Sequence, residues 1–136
     1  MYETFDHTAD VGIRVAAPDL PGLFVEAARG LLSLLVDDVG TVEPKLELSI
    51  RLEETDLAYL LFDWLRELLY LYDARHLLIG ACEVSIEAGV LLAKIRGETY
   101  DPTRHSLAHE VKAITSHGLF VRQEVDGFKA EYIVDI

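Results

Sequence analysis

Apolar residues recur along this chain at two different periods, and the changes of period mark its elements. Val11 through Ala16 alternate loosely, which predicts a strand closed by Pro18. Asp19 then offers a helix N-cap with Pro21 in the first turn, and Leu20, Leu23, Phe24, Ala27, Ala28, Leu31, Leu32 and Leu35 follow at helical spacing. That helix ends near Val36. From Leu46 to Leu52 the period is two, with Leu46, Leu48, Ile50 and Leu52 opposite Lys45, Glu47, Ser49 and Arg51, the mark of a half-buried strand. Thr55 and Asp56 open a second helix. Its Leu57, Leu60, Leu61, Trp64, Leu65, Leu68, Leu69 and Tyr72 form a broad stripe opposite Asp63, Arg66 and Glu67.

The remainder reads as strands. Cys82, Val84 and Ile86 alternate with charged and hydroxyl neighbours, and Ala88-Gly89 turns the chain into Val90 through Arg96. Asp101-Pro102 marks a loop. Val111 to Thr115 and Leu119 to Val125 are extended, and Asp126-Gly127 turns into Phe128 through Val134 as a second hairpin. Two striped helices and mostly hairpin-linked strands predict an α+β fold, a single domain over residues 1–136. Both helices would pack on one face of a largely antiparallel sheet, leaving the other open. No repeat or linker divides the chain.

Composition bounds the function. The 136 residues are 51% hydrophobic and 26% charged, the balance of one folded domain. A net charge of −12 disfavours direct binding to nucleic acid or anionic lipid. The imbalance sits before Val90; the near-neutral C-terminal third is the better face for an anionic group. A lone cysteine, Cys82, rules out an internal disulfide and a thiolate zinc site within one chain, and its place in a strand pattern predicts burial. With no apolar run long enough to span a bilayer and no signal-like start, a cytoplasmic protein is expected.

Candidate chemistry concentrates at the two ends. Asp6-His7-Thr8-Ala9-Asp10 places two carboxylates, an imidazole and a hydroxyl in five positions, and Asp135-Ile136 adds a carboxylate and the C-terminus directly after a predicted strand. Oxygen donors of this kind suit calcium or magnesium better than zinc. Turn and capping roles for Asp6 and Asp10 are the commoner use of such residues, and a chain end is commonly frayed unless a strand ties it. Lys112 and His117 stand out in an apolar strand pattern, where they would point to opposite faces. Lys112 suits a role opposite acids or a nucleotide phosphate, or that of an ordinary surface lysine. No GxSxG elbow, phosphate loop, GxGxxG or HExxH pair is present. A small metal-dependent hydrolase lacks a pocket motif.

At these residues the chain resembles the archease family. The likeness is carried by Asp6-His7-Thr8-Ala9-Asp10-Val11, Val42-Glu43-Pro44, Leu60-Leu61-Phe62-Asp63-Trp64-Leu65, Glu110-Val111-Lys112-Ala113-Ile114-Thr115 and Ile133-Val134-Asp135-Ile136, which span the whole chain. The resemblance implies a non-catalytic accessory protein of the RtcB-type RNA ligase of tRNA splicing. It would promote ligase guanylylation and turnover and broaden the nucleotide accepted. It implies a metal site, for calcium or another divalent cation, on Asp10, Asp135 and Ile136, with Lys112 and Asp10 needed for ligase activation. Asp6 and His7 would support the ligands from alongside. A general chaperone or protein-interaction module is the alternative.

Overall fold

The computed structural model describes residues 1–7 and 10–136, and for Asp6 and His7 the backbone only. Among the described residues there are seven strands and two α-helices: β1 (Tyr2–His7), β2 (Asp10–Ala17), α1 (Leu20–Leu35), β3 (Leu46–Glu53), α2 (Leu57–Arg75), β4 (Leu77–Glu87), β5 (Val90–Thr99), β6 (Ala113–Glu124) and β7 (Gly127–Asp135).

Both helices start where their caps dictate. The Asp19 carboxylate accepts from the Gly22 N–H at 2.7 Å, and Pro21 takes a first-turn position whose N–H would have had no partner. Asp56 accepts from Ala58 and Tyr59 at 2.9 and 3.1 Å. α2 ends at His76, which adopts the left-handed region (φ 53°) and returns its N–H to the last turn. Two buried donors then tie the layers together. Trp64 Nε1 of α2 donates to the Phe24 carbonyl at 3.0 Å, and the Tyr132 hydroxyl of β7 donates to the Ala27 carbonyl at 2.7 Å.

The strands form two sheets, each antiparallel, in the orders β1-β2-β7-β6 and β3-β5-β4. The α+β class agrees with the sequence reading, whereas the single sheet becomes two and the helices meet both. α1 lies on β1, β2 and β7 of the first sheet and on β4 of the second; α2 lies on β6 and on β3 and β4. The reason is legible on α1. Its buried residues, from Leu23 and Phe24 round to Leu32 and Leu34, occupy roughly half the helix circumference, wider than the stripe a single covering sheet would need. The resulting core is one contiguous cluster drawn from both helices and both sheets.

Two strands depart from expectation. β1 is an additional strand: Tyr2 and Phe5 differ in parity, so this segment shows no period of two. The extended pieces around Thr115 and Leu119 are one strand, β6, with a register shift between Thr115 and Phe120 that takes in Gly118 at φ 68°. Lys112 precedes β6 and His117 lies within the shifted stretch between Thr115 and Phe120, so simple alternation does not assign these two side chains to opposite faces.

Both predicted hairpins are present. Ala88 and Gly89, at φ 51° and 77°, form the two-residue turn between β4 and β5. Glu124 pairs with Gly127 across Val125-Asp126 between β6 and β7.

Candidate functional site

The first sheet brings the two ends of the chain together. Antiparallel pairing of β2 with β7 sets Asp10 directly opposite Asp135. Residues opposed in this way share a face, with Cβ atoms about 4.5–5.5 Å apart. The row continues outward on both sides, with His7 of β1 opposite Asp10 and Ala113 of β6 opposite Asp135. Alternation fixes which face this is. Ile13 and Tyr132 are fully buried against the helices, whereas Arg14, of the same parity as Asp10, is exposed and pairs with Glu131 at 3.1 Å and Glu3 at 3.4 Å. The acidic pair therefore sits on the outer face of the sheet, away from the helices.

The C-terminus is tied down. Ile136 is half-buried and packs against the core, and the Asp135 carbonyl accepts the Lys112 N–H at 2.7 Å. The donors that Asp10, Asp135 and the last residue, Ile136, could offer are all oxygen. That chemistry fits a hard divalent cation, for which opposed carboxylates cost little once the ion is bound. Among the described residues no group of three or more His, Cys, Asp or Glu that could hold a metal ion is present. The side chains of Asp6 and His7, expected to support the ligands, lie outside the described residues, as do Thr8 and Ala9.

Lys112 is exposed and lines a groove of ≈510 Å³ with Tyr72 and Asp73 from the end of α2 and Leu107 to Val111 from the preceding loop. Its backbone joins the acidic row, while its side chain borders this neighbouring groove.

A buried polar cluster on the second sheet was passed over by the sequence reading. Glu98 of β5 and His105 are buried polar residues, each 3% exposed. The Glu98 carboxylate accepts from the Glu43 N–H at 2.6 Å, pairs with Arg104, lies 3.6 Å from Lys45 Nζ and faces His105 Nε2 at 3.2 Å. His105 Nδ1 accepts the Asp101 N–H at 2.9 Å, so its ring proton is on Nε2 and is donated to Glu98. Burial by itself would raise the Glu98 pKa. The Glu43 N–H, then Arg104 and His105, outweigh it and hold the carboxyl below its ordinary value. Along β5 Glu98 continues the parity of the charged Lys94 and Arg96, so alternation gave no signal of its burial. Cys82 is half-buried, and burial pushes its thiol up to about 11, slightly countered by Arg29, which makes it a poor nucleophile.

Residues 2–136 match the model of the archease protein family. The chain belongs to the archease family. It is 40% identical over 139 residues to the archease of Methanopyrus kandleri and 39% identical over 140 residues to that of Pyrococcus furiosus, in both cases covering 98% or more of each protein. Among solved structures, the solution structure of Methanobacterium thermoautotrophicum protein 1598 superposes with a TM-score of 0.84 at 30% identity, over 99% of this chain and 98% of that one. The crystal structure of an archease from Thermotoga maritima, described as a possible chaperone, has a TM-score of 0.67 at 18% identity, a likeness of fold. No helix among the described residues is long and apolar enough to cross a membrane.

Proposed function

We propose that this archease-family protein is a cytoplasmic, non-catalytic activator of an RtcB-type tRNA-splicing ligase, binding calcium or another divalent cation at Asp10, Asp135 and the carboxylate of Ile136. The observation that carries the reading is the direct opposition of Asp10 and Asp135 on an outer sheet face, with Ile136, directly after Asp135, packed against the core. Two carboxylates so placed are close enough to share one divalent cation. A metal-loaded acidic row docks against a basic enzyme, and Lys112, tied by its backbone to Asp135, supplies a positive group suited to a nucleotide phosphate. The protein's own part is to bind, orient and neutralise charge while the ligase performs the chemistry; a wider choice of nucleotide by the ligase belongs to the same reading.

The test is single-turnover guanylylation of the ligase from the same organism, with and without this protein. Acceleration of tenfold or more is expected, with loss in Asp10→Ala, Asp135→Ala and Lys112→Ala. No acceleration by the unaltered protein would sink the proposal. The open outer face of the first sheet, with the half-buried rings of Phe5 and Phe120, favours a second reading as a general chaperone. That reading predicts suppressed aggregation of unrelated proteins, undiminished by Asp10→Ala.

A further inference from the structure

We infer that Glu98, through Arg104 and His105, is a positioning residue that sets the course of residues 100–112 and thereby the placing of Lys112 beside Asp135. The inference rests on the reading that Lys112 acts in ligase activation, and it names residues remote from the acidic row. The segment between β5 and β6 runs for about a dozen residues without regular structure, a length that in compact domains usually carries function.

Its start is anchored by the buried network. With Nδ1 taking the Asp101 N–H and Nε2 donating to Glu98, the His105 ring closes the 101–105 turn against β5, and Arg104 bridges the Glu98 carboxylate to Glu43 and Asp101 at 3.5 Å each. A buried carboxylate adds little net stability compared with an apolar side chain, so its distinguishing contribution is direction. Each partner has one place to be.

From this anchor the segment is fastened step by step along the end of α1. Asp37 N–H donates to the Ser106 carbonyl at 2.9 Å, and the Ser106 hydroxyl returns to the Asp37 carboxylate at 2.7 Å. Leu107 bridges to Val36, and the N–H groups of Ala108 and His109 take the Leu35 and Leu34 carbonyls at 3.0 and 2.8 Å. These carbonyls belong to the last turn of α1, which has no glycine cap and would otherwise leave them unpaired. Val111 is buried, and the Lys112 N–H reaches Asp135. A slip at the Glu98 end therefore displaces the residues that lead through the α1 contacts and buried Val111 to Lys112.

Amide hydrogen exchange, followed residue by residue in the full chain, tests this without the ligase. In Glu98→Leu the amides of Ala108, His109 and Lys112 should exchange at least tenfold faster, while those of Ile13 and Tyr132 in the first sheet stay within twofold. Glu98→Gln, which keeps an acceptor for Glu43 and His105, should recover part of the protection. Unchanged exchange at the three loop amides, or equal acceleration at Ile13 and Tyr132, overturns the inference. Should Glu98→Leu not fold, Arg104→Gln is read by the same criteria. In ligase assays Glu98→Leu should lower guanylylation at least fivefold with calcium affinity within twofold of the unaltered protein. Faster loop exchange with full activation would overturn the link to Lys112. A ligase that never responds to the unaltered protein counts against the activator reading alone, and the exchange data still decide the positioning.

Discussion

Lys112 and Asp135 are joined backbone to backbone: the Lys112 N–H donates to the Asp135 carbonyl at 2.7 Å. Through this one bond the loop that carries the basic residue is tethered to the strand that carries an acidic one. Asp10 is then opposite Asp135 through the β2–β7 ladder.

Cation binding should appear as stability. A ligand present at about a hundredfold its dissociation constant adds about 2.7 kcal/mol to a protein it binds only when folded. Calcium should therefore raise the melting temperature of the unaltered protein, and Asp10→Asn and Asp135→Asn should each lose that gain. Thermal melts in calcium and in chelator measure it; an undiminished calcium shift in both variants would remove the metal from these residues.

Tyr132→Phe deletes a hydroxyl that is fully buried and donates to the Ala27 carbonyl at 2.7 Å. The loss should cost about 1–2 kcal/mol, the value of a buried hydrogen bond plus an acceptor left short of a donor. Urea unfolding should show a lower midpoint with an unchanged slope.

Gly97 allows β5 to pass close to β4. A Cβ there would collide with the Leu78 backbone carbonyl, which has no flexible end to swing aside. Gly97→Ala should destabilise the fold by roughly 3 kcal/mol or more. By contrast Gly40→Ala, whose added carbon meets only the Asp38 side chain at 3.2 Å, should cost much less when measured by the same unfolding experiment.

The depressed pKa of Glu98 makes stability depend on pH in a definite direction. Its folded pKa lies below its unfolded one, so its contribution is fully present above the unfolded value and is lost as pH falls through the folded one. The stability difference between the unaltered protein and Glu98→Gln should be constant from pH 7 to about pH 5 and shrink below it. Chemical unfolding across that range decides it; a difference that grew on acidification would contradict the network.

With its thiol pushed up to about 11, Cys82 should react with iodoacetamide at pH 7.5 about a hundredfold more slowly than a free cysteine peptide, whose pKa is near ~8.5. Mass spectrometry of timed samples reads this directly. Comparable rates would mean that β4 opens readily.

Much of the architecture was legible because local physics repeats along the chain. The caps at Asp19 and Asp56, the striped helices and the turn at Ala88-Gly89 stand where pattern and turn chemistry put them, while the second turn lies one residue earlier than expected, at Val125-Asp126. β1 was hidden because Tyr2 and Phe5 do not alternate, and the shift in β6 because register is a property of two strands together.

Family likeness in the sequence named Asp10, Asp135, Ile136 and Lys112, and periodicity placed strands near them. Neither source determined that β2 pairs with β7, which is what opposes the two carboxylates across the sheet. Nor did either reveal that Glu98 is buried between Arg104 and His105. Those relations join residues far apart in the chain, and only the closing of two sheets around α1 and α2 brings them within reach of one another.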